Sequence, residues 1–167
     1  EKFTCIYVGT KENNRYIKEH SIANLSKAES YSISVRDGAV MIEGADDNGV
    51  LYGCVDFYNK YLVKKEFNQS LCYAVNNPFA DTLADFELTS APMVSSRGIW
   101  TWGHVIYDFK RYIDNMVKLK MNTLIMWNDF VPLNAREIVE YAHNCGIKVY
   151  FGFAWCWDTD CSRFSMD

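Results

Sequence analysis

The sequence has no apolar run approaching the ~20 residues that a membrane-spanning helix needs. It has no basic stripe. Lys and Arg are scattered and the formal net charge is −4, so the chain lacks the electrostatic footprint of a nucleic-acid binder. The opening residues, Glu1-Lys-Phe-Thr-Cys5, lack the charged and apolar regions of a signal peptide. There is no internal repeat beyond strand–helix alternation, and no low-complexity tract. The six cysteines, Cys5, Cys54, Cys72, Cys145, Cys156 and Cys161, fall singly without a disulfide-scaffold spacing. They read as reduced, mostly buried thiols, which fits a reducing compartment such as the cytoplasm. Cys156 and Cys161 have no matching pair or clustered His, so no zinc site is expected. Asp158 and Asp160 are too few to specify a metal, and no cofactor is expected.

What is present is apolar and aromatic. Apolar residues make up 49% of the chain and aromatics 16%, so a packed core is within reach. Many of the aromatics cluster after position 97.

Residues 1–90 read as a compact α+β layer in the order strand, helix, strand, strand, helix, strand, one sheet with helices on one face. The first strand covers 3–9 and a short polar helix covers 11–20. Tyr31, Ile33 and Val35 alternate inward against outward serines, which is the period of a strand. Asp37-Gly38 is a two-residue hairpin turn leading into the strand 39–44. Asp46-Asp47-Asn48 supplies a cap for an amphipathic helix over 50–62. The mid-helix Gly53 implies close approach of that helix to the sheet. Residues 64–81 read as a connection with a short strand near 71–75 and a turn at Asn76-Asn-Pro78. The strand 82–88 closes the layer.

Residues 91–96 are a linker, after which strand and helix alternate strictly. Arg97–Trp102 is a strand. Asp108 caps a helix whose core stripe is Phe109, Tyr112, Ile113, Met116, Val117 and Leu119. Thr123–Trp127 is a near-continuous apolar run, as a buried parallel strand should be. Asn134, with Glu137 in a capping box, begins a helix that ends at Cys145-Gly146. Ile147–Phe153 is a third strand. The fold class expected is therefore a small α+β domain followed by the start of a (β/α)8 barrel. A barrel needs about 250 residues, and three strands cannot close one. The segment 97–167 is thus expected to be an incomplete barrel, the N-terminal part of a longer enzyme, with an exposed sheet edge that invites self-association.

Barrel active sites lie at the C-terminal ends of strands. Three such ends are Trp102-Gly-His104, Trp127-Asn128-Asp129 and Trp155-Cys-Trp-Asp158. Each carries a Trp and a polar residue. Sugars present apolar C–H faces, on which indole rings pack, and hydroxyl edges, which carboxylates, amides and guanidinium groups bind. A carbohydrate is therefore the expected partner. Trp100 and Trp102 alternate with Thr101, so one parity of that strand is barrel core. Asp129 also fits a turn cap, and His104 a hydrogen-bonding loop residue. Arg97 begins its strand, so on position alone it reads as a structural partner at the bottom of the barrel. His20 and His143 lie on helices and carry no functional signal.

The run Arg97-Gly-Ile, then Tyr107-Asp-Phe-Lys-Arg-Tyr-Ile-Asp-Asn-Met-Val-Lys-Leu-Lys-Met-Asn122 and Thr123-Leu-Ile-Met-Trp127, resembles the opening of β-N-acetylhexosaminidase barrels, glycoside hydrolase family 20. Residues 1–90, with Gly44-Ala-Asp-Asp-Asn-Gly-Val-Leu-Tyr-Gly53, are similar to the α+β domain preceding that barrel. Such a domain also precedes α-glucuronidase and O-GlcNAcase (family 84) barrels. The resemblance implies that Arg97 contacts sugar hydroxyls and that Asp129 lies near the acidic residues after strand two. The third strand departs from the family-20 Pro-Gly-His pattern. It reads Phe151-Gly-Phe-Ala-Trp-Cys-Trp-Asp158, nearer the O-GlcNAcase form without its Pro-Gly. The family's catalytic acidic pair follows strand four, beyond Asp167, so no catalytic residue is expected in this chain.

The reaction implied is hydrolysis of a terminal amino sugar, with the substrate's N-acetyl group as nucleophile. The expected substrate-binding set is Arg97, Trp102, His104, Asn128, Asp129, Trp155 and Asp158. The chain alone is expected to be inactive. Another exo-glycosidase on the same scaffold, O-GlcNAcase-like or glucuronidase-like, and a non-catalytic carbohydrate-binding protein are the alternatives.

Overall fold

A computed structural model describes residues 5–68, 73–78, 84–102, 107–127 and 132–152. The chain is a mixed α+β protein and divides into two compact units, Glu1–Ser95 and Ser96–Asp167. Among the described residues, no helix is long and apolar enough to cross a membrane.

The first unit runs β1 (Cys5–Gly9), α1 (Arg15–His20), β2 (Tyr31–Arg36), β3 (Ala39–Gly44), α2 (Asp47–Phe57), a π-helical turn (Tyr58–Leu62), β4 (Val63–Asn68), β5 (Tyr73–Pro78) and β6 (Phe86–Ser90). Four strands form one sheet in the order β1-β3-β2-β6. β1 and β3 are parallel, and the other two pairings are antiparallel. The β2–β3 turn has φ of 49° at Asp37 and 74° at Gly38, the two positive angles of a tight hairpin. β4 and β5 make a separate antiparallel pair. That pair replaces the expected connection over 64–81 and places Asn76, Asn77 and Pro78 in a strand rather than a turn.

One face of the sheet holds the core. Tyr31, Ile33 and Val35 of β2 and Val40 and Ile42 of β3 pack against Tyr52 and Phe57 of α2. A Cβ on Gly53 would lie 2.7 Å from the Ile42 Cγ2 atom, so α2 does approach the sheet as closely as its glycine implied. Asp46 caps α2 by accepting from the Gly49 N–H at 2.8 Å. Its other oxygen accepts from the Glu29 N–H at 2.8 Å. The Tyr31 hydroxyl donates to the buried Asp56 carboxylate. Asp56 also accepts from Lys60 Nζ at 2.8 Å, so the carboxylate is compensated.

The other face differs from expectation. Its serines are not solvent-facing: Ser32 and Ser34 are 4% and 8% exposed. Helix α1 lies on this side rather than with α2. Tyr7 of β1 shares the face with Met41 and Ser34 through the strand registers. The ring of Tyr16 in α1 stacks on Tyr7 at 3.6 Å, and His20 stacks on Tyr16 at 4.1 Å.

The second unit runs β7 (Gly98–Trp102), α3 (Phe109–Lys118), β8 (Thr123–Trp127), α4 (Ala135–Asn144) and β9 (Lys148–Gly152). The strands are parallel in the order β7-β8-β9. Ile113, Met116 and Val117 of α3, Leu124 and Met126 of β8, and Ile138 and Ala142 of α4 are buried. Leu119, expected in the α3 stripe, is the C-cap residue and is exposed. Asp108 caps α3 as expected, accepting from the Arg111 N–H at 3.2 Å. Asn134 precedes α4 but its side chain makes no capping bond. The Tyr141 hydroxyl of α4 donates to Asp114 of α3 at 2.8 Å. That bond holds the neutral phenol and pushes its pKa up to about 12. Of the cysteines, Cys54 and Cys145 are partly buried, and burial pushes both thiols up. Cys5 is exposed, contrary to expectation, because it lies on the edge strand β1. Cys72, Cys156 and Cys161 lie outside the described residues.

Both helices end in the same way. The Lys120 N–H donates to the Val117 carbonyl and the Met121 N–H to Met116. After α4, the Gly146 N–H donates to His143 and the Ile147 N–H to Ala142. These are paired C-terminal caps that require a left-handed residue. Gly146 supplies it with φ 70°, whereas Lys120 adopts φ 56° despite its side chain.

The starts of the three strands meet at Asn122, which is 7% exposed. Its Oδ1 accepts from the Arg97 N–H at 2.9 Å and from the Thr123 hydroxyl at 3.0 Å. Its N–H donates to the Arg97 carbonyl at 2.7 Å, and its carbonyl accepts from the Lys148 N–H at 2.9 Å. Arg97 Nε donates to the Lys120 carbonyl at 2.8 Å. Gly98 permits the approach, because a Cβ there would lie 2.0 Å from the Thr123 oxygen.

Replacing Asn122 by Ala removes the acceptor of two of these bonds. We expect it to cost roughly 2–3 kcal/mol of stability, read as a lower midpoint of urea unfolding. Lys120→Gly keeps the carbonyl that Arg97 uses and removes the left-handed penalty. It should raise the same midpoint, by about 0.5–1 kcal/mol.

Candidate functional site

In a parallel strand alternate residues face opposite sides. The registers align Trp100 with Ile125 and Tyr150, and Trp102 with Trp127 and Gly152. These residues share one face of the β7-β8-β9 sheet. Leu124 and Met126 lie on the other, where they are buried. The tryptophan face is open: Trp100, Trp102 and Tyr150 are 51%, 73% and 53% exposed.

The three indoles form a cluster. Trp100 and Trp102 stack with ring centroids 5.6 Å apart and planes 2° from parallel. Trp127 tilts against both, at 5.5 Å from Trp100 and 5.8 Å from Trp102. Such spacings are those of favourable aromatic pairs. Trp127 leans over the neighbouring strand at Gly152, where a Cβ would lie 2.5 Å from Trp127 Cε3. The described strand residues of this face include no carboxylate and no imidazole. The arrangement can hold an apolar ring face.

Two of the seven expected binding residues are described. Trp102 stands at the C-terminal end of β7, as expected. Arg97 stands at the other end of that strand, five residues away or roughly 17 Å along an extended chain, and its described side-chain bond is to the Lys120 carbonyl. His104, Asn128, Asp129, Trp155 and Asp158 lie outside the described residues. Trp100 and Trp127 complete the cluster but were not in the expected set. Their signal was present in the shared parity of Trp100 and Trp102 and in the Trp that ends β8.

No protein-family model matches the chain, and no curated protein matches it. Solved structures do. The fold is found within glycoside hydrolases of several families. A family 20 β-N-acetylglucosaminidase matches with TM-score 0.58 and 20% identity over 87% of this chain and 32% of its own. The chitobiase of Flavobacterium johnsoniae matches with TM-score 0.53 and 19% identity over 78% of this chain and 22% of its own. A family 115 4-O-methyl-α-glucuronidase matches with TM-score 0.63 and 17% identity over 86% of this chain and 23% of its own. At these identities the likeness is one of fold. The chain spans about a third or less of the length of each.

The Gly152→Ala variant tests the packing of the cluster. The added methyl must push the Trp127 ring aside. We expect the exciton signal of the paired indoles in circular dichroism to fall while the helical signal stays; an unchanged indole signal would contradict the described arrangement.

Proposed function

We propose that this chain is the N-terminal part of an exo-acting glycoside hydrolase of β-N-acetylhexosaminidase type. Residues 1–90 act as its preceding α+β domain, 91–96 as a linker, and 97–167 as the first strands of a catalytic (β/α)8 barrel. The observation that carries this reading is the pairing of Trp102 with Trp127 at the C-terminal ends of adjacent parallel strands, on the face opposite the helix-covered core. In a barrel, that face looks inward and that end forms the mouth. The likeness of fold to glycosidases supports the same direction.

On this reading Trp102 and Trp127 pack against the apolar face of a terminal sugar. His104 follows β7 in sequence, Asn128 and Asp129 follow β8, and Trp155 and Asp158 follow β9. They are the candidates to bind the hydroxyl edge. Arg97 is a further candidate for contact with sugar hydroxyls, and its bond to the Lys120 carbonyl supports a role in positioning the strands as well. The acid that protonates the leaving oxygen, and the carboxylate that orients the substrate's acetamido group for its attack on the anomeric carbon, come from chain following residue 167. A substrate-assisted route of this kind departs from the usual two-carboxylate scheme. A glucuronidase-type specificity is the second reading, favoured by the fold likeness to the α-glucuronidase.

A longer polypeptide carrying this segment should release 4-nitrophenol from its β-N-acetylglucosaminide, whereas residues 1–167 alone should not. Trp102→Ala in the longer polypeptide should raise KM by roughly 3- to 10-fold. Turnover of 4-nitrophenyl glucuronides alone would favour the second reading. Turnover of no glycoside would sink both in favour of a binding protein.

A further inference from the structure

A cavity of about 360 Å³ lies wholly within the first unit, between α1 with the segment after it and the serine face of the four-stranded sheet. Its lining includes Tyr16, Ser32, Ser34, Arg36, Met41 and Glu87. None of the tryptophans described above borders it.

Two features set this cavity apart from a packing defect. The first is its size. Water occupies about 30 Å³ a molecule, so the space is equivalent to roughly a dozen waters. It also falls within the ~300–1,000 Å³ typical of small-molecule pockets. The second is its polar lining. Ser32 and Ser34 are more than nine-tenths buried as residues, and no side-chain hydrogen bond to a described residue takes up either hydroxyl. Here both line the cavity, each able to donate once and accept twice.

The lining also indicates which ligand would satisfy them. Arg36 is already paired with Glu87 at 2.9 Å, so its charge is largely compensated. Asp37 adds another carboxylate at the rim. Counting Arg36, Asp37 and Glu87, the lining is net negative and disfavours an anion. The carboxylates of Asp37 and Glu87 accept from hydroxyl groups, and the guanidinium donates to them. Met41 and Ala39 of β3 add apolar surface on the same sheet face as the serines. An apolar wall beside paired donors and acceptors matches a ligand with a C–H face and a hydroxyl edge.

We propose that this cavity in the first unit binds a neutral, monosaccharide-sized polyhydroxylated ligand, with Ser32 and Ser34 bonding its hydroxyls. It is a second site, separate from the tryptophan face, and it does not depend on the glycosidase reading. Its consequence is a sugar-anchoring role for the first unit.

The test is titration of the 167-residue chain, labelled with 15N, with N-acetylglucosamine, with glucose and with glucuronate, each up to about 20 mM, beyond the millimolar range of weak sites. At least one neutral sugar should shift the amides of Ser32, Ser34 and Met41 in a saturable way. Glucuronate should bind there at least roughly 10-fold more weakly, being repelled by the two carboxylates. Ser34→Ala should weaken the neutral sugar by roughly 3- to 10-fold, and Ala39→Phe should abolish the shifts by filling the space. Each variant's fold is checked by its unchanged Trp100, Trp102 and Trp127 indole signals together with the Tyr31 and Ile33 amides. No saturable shift at the serines with either neutral sugar would overturn the proposal. So would equal or tighter binding of glucuronate, or undiminished binding by a folded Ala39→Phe chain. Shifts confined to the indole signals would overturn this site while supporting the tryptophan face, so the two readings fail separately.

Discussion

The second unit depends on one buried residue. Asn122 joins the starts of all three parallel strands through its amide oxygen, its N–H and its carbonyl. A parallel sheet lacks the tight turns that fix register in hairpins. β8 and β9 each arrive after a helix, so something must set where they begin. Asn122 sets β8 against β7 by exchanging bonds with the Arg97 backbone, and β9 against β8 by accepting from Lys148. With those starts level, the strand ends are level too, and Trp102 and Trp127 are brought side by side. A one-residue slip would turn every indole to the helix-covered face.

The same knot explains why Arg97-Gly98 and Met121-Asn122 stand out in the sequence. Their described hydrogen bonds join strand starts and the end of α3. Arg97 closes over the end of α3 by donating to the Lys120 carbonyl, a carbonyl that a helix terminus leaves without an intrahelical partner. Gly98 is needed because the Thr123 oxygen occupies the space of a side chain. Arg97 and Asn122 thus lie at one end of these strands and Trp102 and Trp127 at the other.

Much of this was legible in the sequence. Period-two alternation identified β2, and the apolar run from Thr123 to Trp127 identified β8. The Asp37-Gly38, Asp46 and Asp108 signals all work through local hydrogen bonds that sequence specifies directly. What sequence did not reveal depends on contacts between distant segments. The serines of β2 have the polarity of a solvent face, and only the path of α1 across the sheet buries them. The β4–β5 pair has no strong turn signal, and Asn76-Asn-Pro78 has the composition of a turn while lying in a strand. Asn134 has the identity of a cap without its geometry. The tryptophan cluster was half visible. Parity put Trp100 beside Trp102, but Trp127 joins them only through the register that Asn122 imposes.

The central claim is that the open tryptophan face is where the protein meets sugar. A crystal structure of the longer polypeptide soaked with N-acetylglucosamine tests it most directly. The account predicts a sugar ring stacked against Trp102 or Trp127 at the C-terminal ends of β7 and β8. A sugar ordered elsewhere in the second unit, with both indoles buried under other side chains, would contradict it.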